Sequence, residues 1–134
     1  MRLIPAVIAA CLAIAAPAAA HNPGETVTPS FDHALPNIPG KSFKAVTVDY
    51  APGAASSPHV HAGSAFIFAY VVSGAIETQV EGEARRVVKA GDSFYEVPGA
   101  HHIVSRNASA TEPARLLAVF IVDTDDRALT TPDK

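Results

Sequence analysis

Cysteine is nearly missing from this chain, which has one, Cys11, in 134 residues. A single thiol so close to the start excludes a disulfide framework and thiol chemistry in any folded domain downstream. Basic residues are also few, 10 Lys and Arg against 13 Asp and Glu for a formal net charge of -3. That balance argues against nucleic acid, or an anionic membrane surface, as a partner. Helical periodicity and internal repeats are absent beyond residue 20. No apolar run reaches, unbroken, the roughly 20 residues that a membrane-spanning helix needs.

What is present begins with a short positive start, Met1-Arg2, an apolar stretch from Leu3 to Ala16, and the small-residue sequence Ala18-Ala19-Ala20. This pattern predicts a signal peptide over 1–20, cut after Ala20, and hence a periplasmic or secreted protein with no membrane attachment after cleavage. Pro5 and Pro17 interrupt the stretch, against a membrane anchor. Ile8-Ala9-Ala10-Cys11 loosely matches a bacterial lipoprotein site, but apolar residues continue past Cys11 where a polar tether belongs. Cleavage would leave His21 as the amino terminus, by itself a weak signal for copper.

Residues 21–41, with Pro23, Pro29, Pro36 and Pro39, predict an irregular N-terminal arm. From residue 42 to 124 the sequence reads as short strands divided by turns, followed by a tail over 125–134. Phe43 to Tyr50 alternates apolar and polar residues. Phe66 to Val72 is a continuous apolar run, as for a strand covered on both faces. Ala75 to Glu81, Arg85 to Val88, Ser93 to Val97, His101 to Ser105 and Arg115 to Val122 complete the set. The fold class expected is all-β, one domain closed as a sandwich or barrel, since closure removes exposed strand edges. The interior lining is expected from Val46, Val48, Phe66, Phe68, Phe94, Leu117 and Val119, uncertain by one register step.

Four of the six histidines lie in two short segments. His59-Val60-His61 falls on an expected strand, where residues two apart point to the same side. His102 follows the Pro98-Gly99 turn and is placed to supply a third imidazole. Neutral imidazole is the commonest metal-ligand side chain, so His59, His61 and His102 are the candidate metal ligands. His101 should face the other way and serve as an outer or surface residue. Phe94 and Glu96 share a strand face, so Glu96 is inward if Phe94 is. A carboxylate there needs a metal or hydrogen-bond partner, and Glu96 is the candidate catalytic residue, the alternative being a solvated position at the barrel mouth.

Gly53, five residues, His59-Val60-His61, and later Gly74 resemble the first sequence motif of the cupin superfamily. Gly91, five residues, Val97-Pro98-Gly99, two residues, His102 and then Asn107 resemble the second. The resemblance implies a jelly-roll β-barrel of the small single-domain kind, holding one divalent metal ion on His59, His61 and His102. Three departures stand out. The glutamate usual after the paired histidines is missing, Ala65-Phe66-Ile67 occupying its place, and the spacing to Gly74 is about two residues too long. Asn107 comes one position late, and Val97 stands where a proline is usual. The site is then either all-histidine or completed by Glu96. Asn107-Ala108-Ser109 also matches a glycosylation acceptor, although its coincidence with the motif favours a structural role.

Three imidazoles with open coordination positions suit non-haem oxygen chemistry, so Fe2+ or Mn2+ is the favoured cofactor, with Zn2+, Ni2+ or Cu2+ also compatible. The expectation is an exported metal-dependent oxidoreductase, a dioxygenase acting on a small organic molecule. The alternative is a non-catalytic periplasmic protein that binds a metal or small ligand. A metal-free sugar epimerase is disfavoured because no His/Asp and Tyr acid–base set stands out. Small cupins often pair through their outer sheets, which implies a homodimer.

Overall fold

A computed structural model describes residues 22–134, and the expected signal peptide over 1–20 lies outside them. The strands are β1 (Glu25–Ala34), β2 (Lys41–Tyr50), β3 (His59–His61), β4 (Phe66–Ser73), β5 (Ala75–Val80), β6 (Arg86–Lys89), β7 (Ser93–Glu96), β8 (His101–Asn107), β9 (Ala114–Asp123) and β10 (Thr130–Pro132). No helix occurs among the described residues. Two five-stranded sheets have the orders β1-β2-β9-β4-β7 and β10-β3-β8-β5-β6, antiparallel throughout. Apart from the β1–β2 and β5–β6 pairs, successive strands cross between the sheets, as in a jelly roll.

Three expectations need correction. The described part of the expected irregular arm over 21–41 is not irregular, because Glu25–Ala34 forms β1, in register with β2. The prolines misled: β1 is an edge strand, and Pro29 sits where the register slips between Pro29 and Phe31. An edge or a bulge is where a sheet tolerates the lost N–H. The 125–134 tail likewise contains β10, which pairs with β3 as Thr130↔His61 and Pro132↔His59. Third, β4 is covered on one face only: Ile67, Ala69 and Val71 are buried, while Phe66, Phe68, Tyr70 and Val72 lie exposed on the outer side.

Two groups of apolar side chains fill the space between the sheets. One gathers Val48, Tyr50, Val71, Ile76, Phe94 and Leu116, and the other Ala65, Ile67, Ala118, Phe120 and Val122. A cavity of about 460 Å³ is lined from both groups, by Val48, Tyr50 and Leu116 on one side and Ile67, Ala118 and Phe120 on the other. Asn107 closes the opposite end of β8. Its Nδ2 donates to the carbonyls of Ala51 (3.1 Å) and Glu112 (2.7 Å), and its Oδ1 accepts from the Ser109 N–H (2.9 Å). The side chain is buried and fully engaged, the structural role expected of it.

Gly74 turns the chain from β4 into β5 with φ +71°, and a Cβ there would lie 2.6 Å from the Pro113 carbonyl oxygen. Gly82 has φ +84° but open space around it. Gly74→Ala is therefore expected to lose about 3 kcal/mol of stability or more, from backbone strain plus collision. Gly82→Ala should lose only about 1 kcal/mol, from the left-handed backbone alone. Urea denaturation of the two variants tests the difference, and equal losses would contradict the crowding at Gly74.

Candidate metal centre

Strand parity and pairing assemble the site. His59 and His61 are two apart on β3 and face inward, with Val60 outward. β3 pairs with β8 so that His59 stands directly opposite His102. Ring centroids are 4.8 Å apart for His59–His61, 5.2 Å for His59–His102 and 5.9 Å for His61–His102. One ring nitrogen from each of the three lies within 4.8 Å of the other two. The expected metal ligands are thus brought together in one place, His61 and His102 buried and His59 partly so.

Glu96 enters from the other sheet. It is 4% exposed, on the same face of β7 as the buried Phe94, so the solvated alternative is set aside. Its Oε2 lies 2.9 Å from His61 Nε2 and its Oε1 3.2 Å from His102 Nδ1. The position answers the missing motif glutamate. Glu96 is the cross-strand partner of Ile67, which is buried, lines the cavity and closes the stretch where that glutamate is usual. Directly opposed residues of an antiparallel pair hold their side chains about 5 Å apart on one face. A carboxylate on β7 therefore reaches nearly the space that one on β4 would fill.

Each imidazole is held from behind. His59 Nδ1 is 2.8 Å from the Ser57 carbonyl, which can only accept, so Nδ1 carries the proton and Nε2 is left with its lone pair. This is the arrangement of metal-ligating histidines. His102 Nε2 is 2.8 Å from Thr78 Oγ1, a hydroxyl able to give or take a proton, which leaves Nδ1 toward the site. Phe94 and Phe120 pack against the rings of His102 and His61, at centroid distances of 6.3 Å and 5.7 Å.

His61 has no hydrogen bond at either ring nitrogen, and Glu96 Oε2 has none, although all three atoms are buried. His61 Nε2 and Glu96 Oε2 touch at 2.9 Å without the alignment of a hydrogen bond. A buried polar atom left unpaired costs about 1–3 kcal/mol. A divalent cation between these atoms would satisfy imidazole lone pairs and carboxylate together, so the residues fit the ion that the sequence motifs imply.

His101, one residue from His102, faces outward as expected. Its Nε2 is 2.8 Å from Asp133 Oδ2, and that bond raises the imidazole pKa above its ordinary value. Sequence reasoning placed Val46 and Val48 correctly in the cavity wall, but missed the register of β4 and β9 by one step. Ile67, Ala69, Leu116, Ala118 and Phe120 line the cavity, whereas Phe66, Phe68, Leu117 and Val119 do not. Phe94 is buried behind His102 instead of in the wall. The sequence reading also missed Tyr50, Ser56, Ser105 and Glu25, polar residues of the lining that only the folded chain brings together.

A β-bulge aims β8. Val80 pairs with His102 and Gln79 with Val104, so β8 spends an additional residue, Ile103, against one step of β5. Bulges switch the alternation of a strand. His102 and Ser105, three apart, are consequently both buried and both line the cavity. The same additional residue accounts for Asn107 lying one position late.

Acid should unfold the metal-free protein by a definite route. Burial above all, opposed by the Ser57 hydrogen bond and assisted by the neighbouring His61 and His102, lowers His59 from 6.5 to about 4. Burial alone would raise Glu96, but the close imidazoles of His102 and His61 outweigh it and hold the carboxyl at about 2. The unfolded chain binds a proton at His59 below 6.5 that the folded chain refuses until about 4, so stability falls across that window. The Glu96 contribution is complete above 4.5 and lost as pH falls toward about 2. Thermal unfolding of metal-free protein should show a falling midpoint from pH 7 to pH 4, flatter in His59→Gln. A midpoint that rises on acidification would contradict the burial of the cluster.

A family model, Cupin_2 (Cupin domain), matches residues 46–120, more than half of the chain. No curated protein matches. Among solved structures, an oxalate oxidase in complex with the substrate analogue glycolate is similar at 26% identity and a TM-score of 0.59, over 74% of this chain and 51% of that one. The chain thus spans about half the length of that oxidase. KdgF from Halomonas sp. is similar at 25% identity and a TM-score of 0.59, over 79% of this chain and 86% of that one. An uncharacterized protein with a double-stranded β-helix domain from Klebsiella pneumoniae shares the fold, with a TM-score of 0.65 at 19% identity over 85% and 88% of the two chains. Motif order, sheet order and the matched family model together make this chain a member of the Cupin_2 family of cupin domains.

Proposed function

We propose that this chain is an exported metal-dependent oxidoreductase, a dioxygenase acting on a small organic molecule. The observation that carries the reading is the set of buried, unpartnered donor atoms on His61 and Glu96 beside a cavity of about 460 Å³. The likeness to oxalate oxidase supports oxidative chemistry on a small substrate. The leader pattern of residues 1–20 supports export.

His59, His61 and His102 would hold the ion, and Glu96 stands as the fourth donor. Bound there, iron(II) or manganese(II) supplies Lewis acidity and one-electron chemistry. The rest belongs to the chain. Ser57 and Thr78 fix the orientation of His59 and His102. Glu96 carries one negative charge, which lowers the charge of the centre below that of an all-histidine site. The walls from Val46, Val48, Leu116 and Phe120 hold an apolar substrate body and keep water out.

Protein purified from the exported fraction should contain about one equivalent of iron or manganese per chain, and His59→Ala should lose it, as read by elemental analysis. Zinc alone would turn the reading toward hydrolysis, and no metal in either protein would end it. Glu96→Gln separates two roles. A ligating Glu96 predicts metal affinity down by about 10- to 100-fold, whereas a Glu96 that only takes a substrate proton predicts unchanged metal content with lost turnover. Full metal retention with no spectral response to small hydroxylated compounds and dioxygen would favour a non-catalytic binding protein. Metal loading should also raise thermal stability, by about 2.7 kcal/mol at a free concentration 100 times Kd.

A further inference from the structure

The cavity has a second polar cluster that the metal centre does not use. Glu25 opens β1, directly opposite Tyr50 at the end of β2. Ser56 follows in the loop before β3, and Ser105 comes from β8, aimed inward by the bulge at Ile103. All four line the cavity. Ser105 Oγ is 2.9 Å from Tyr50 Oη, Tyr50 Oη is 2.6 Å from Ser56 Oγ, and Ser56 Oγ donates to Glu25 Oε1. The Ser56 N–H also donates to the Ser105 carbonyl at 2.9 Å, fixing loop to strand.

The proton order along this chain is determined. A hydroxyl has one proton. Ser56 commits its own to Glu25, so Tyr50 must donate to Ser56, and Ser105 must donate to Tyr50. All three hydroxyl protons are spent inside the cluster, and every remaining valence is an acceptor lone pair. Glu25, a carboxylate, can only accept as well. The lining contains no Lys or Arg among the described residues. Of the other polar lining residues, Thr130 is exposed, Ser57 donates its hydroxyl proton to Asn22 Oδ1 at 3.0 Å, and the Asn22 amide spends one of its two protons on the Ala55 carbonyl at 3.0 Å.

We propose that Glu25, Ser56, Tyr50 and Ser105 form a ligand subsite that accepts a hydrogen bond, so that the pocket takes a small molecule with an apolar body and a hydroxyl or amine donor, in preference to an anion. This rests on the reading of the cavity as a substrate pocket, and it names the substrate class. A dianion would meet two carboxylates, Glu25 and Glu96, with the ion as its only positive partner. A neutral donor is matched at Ser105 while its body lies on Val46, Val48 and Leu116.

The test is calorimetric titration of phenol, anisole and benzoate into metal-free and metal-loaded protein. Phenol and anisole share the apolar ring and differ in the donor. In metal-free protein phenol should bind about fivefold tighter than anisole, the worth of one hydrogen bond, and benzoate more weakly than phenol. Ser105→Ala should bring the phenol-to-anisole ratio near 1 and leave anisole affinity within about twofold. Tyr50→Phe leaves Ser105 in place but frees its proton, so it should strengthen benzoate binding relative to phenol. Ser56→Ala, at a half-buried loop position, repeats the test should Tyr50→Phe fail to fold. Equal affinities in the unaltered protein, no phenol binding, tightest binding of benzoate without metal, a phenol preference that survives Ser105→Ala, or benzoate binding unmoved by Tyr50→Phe would each overturn the subsite. Because the decisive comparison uses metal-free protein, its failure is distinct from a failure to bind metal, which elemental analysis reads separately.

Discussion

Three imidazoles and a carboxylate share one largely buried space between two sheets, and the barrel is built so that they must. Transfer of such groups from water is unfavourable unless each finds a partner. The barrel provides some partners, the Ser57 carbonyl for His59 and the Thr78 hydroxyl for His102. It withholds others, leaving His61 and one oxygen of Glu96 unmatched. A protein interior tolerates few such vacancies. The pattern is that of a site whose last partner arrives from outside, and the apolar groups on either side hold the pieces at fixed separation until it does.

The carboxylate illustrates how pairing, and not sequence order, decides a site. The usual glutamate of the family would lie on β4. Here β4 offers Ile67, and Glu96 opposite it on β7 brings the charge to nearly the same point. Because β7 belongs to one sheet and the histidine strands to the other, the contacts from Glu96 to His61 and His102 span the sandwich. Binding at this site thus bears on how firmly the two sheets are held together.

Much of this was legible from the chain. The parity of His59 and His61 and the motif position of His102 pointed to the cluster that the folded chain brings together, whereas the shared face of Phe94 and Glu96 left Glu96 open between an inward and a solvated position. Where both faces of a strand are apolar, the sequence offers no parity to read. Phe66 to Val72 and Leu116 to Ile121 are of that kind, and their lining residues came out one step off. Prolines concealed β1, since Pro29 in an edge strand at a register slip has the same composition as Pro29 in a loop. The Glu25–Ser56–Tyr50–Ser105 cluster was invisible for a different reason. Its members are ordinary residues drawn from β1, β2, a loop and β8, and only tertiary pairing brings them into contact.

β10 is the last strand of the chain. It has three residues, all exposed, and pairs only with β3, the strand that holds two of the imidazoles. Thr130 and Pro132 also rim the cavity. The strand is held by its ladder, by the Asp133 N–H to the Pro58 carbonyl at 3.0 Å, by Asp133 to His101, and at its start by Leu129, which accepts from the Ala62 N–H at 3.1 Å and packs against the core. Anchored at Leu129 and laid along the strand of the paired imidazoles, this hem frames the entrance without contributing to the apolar interior.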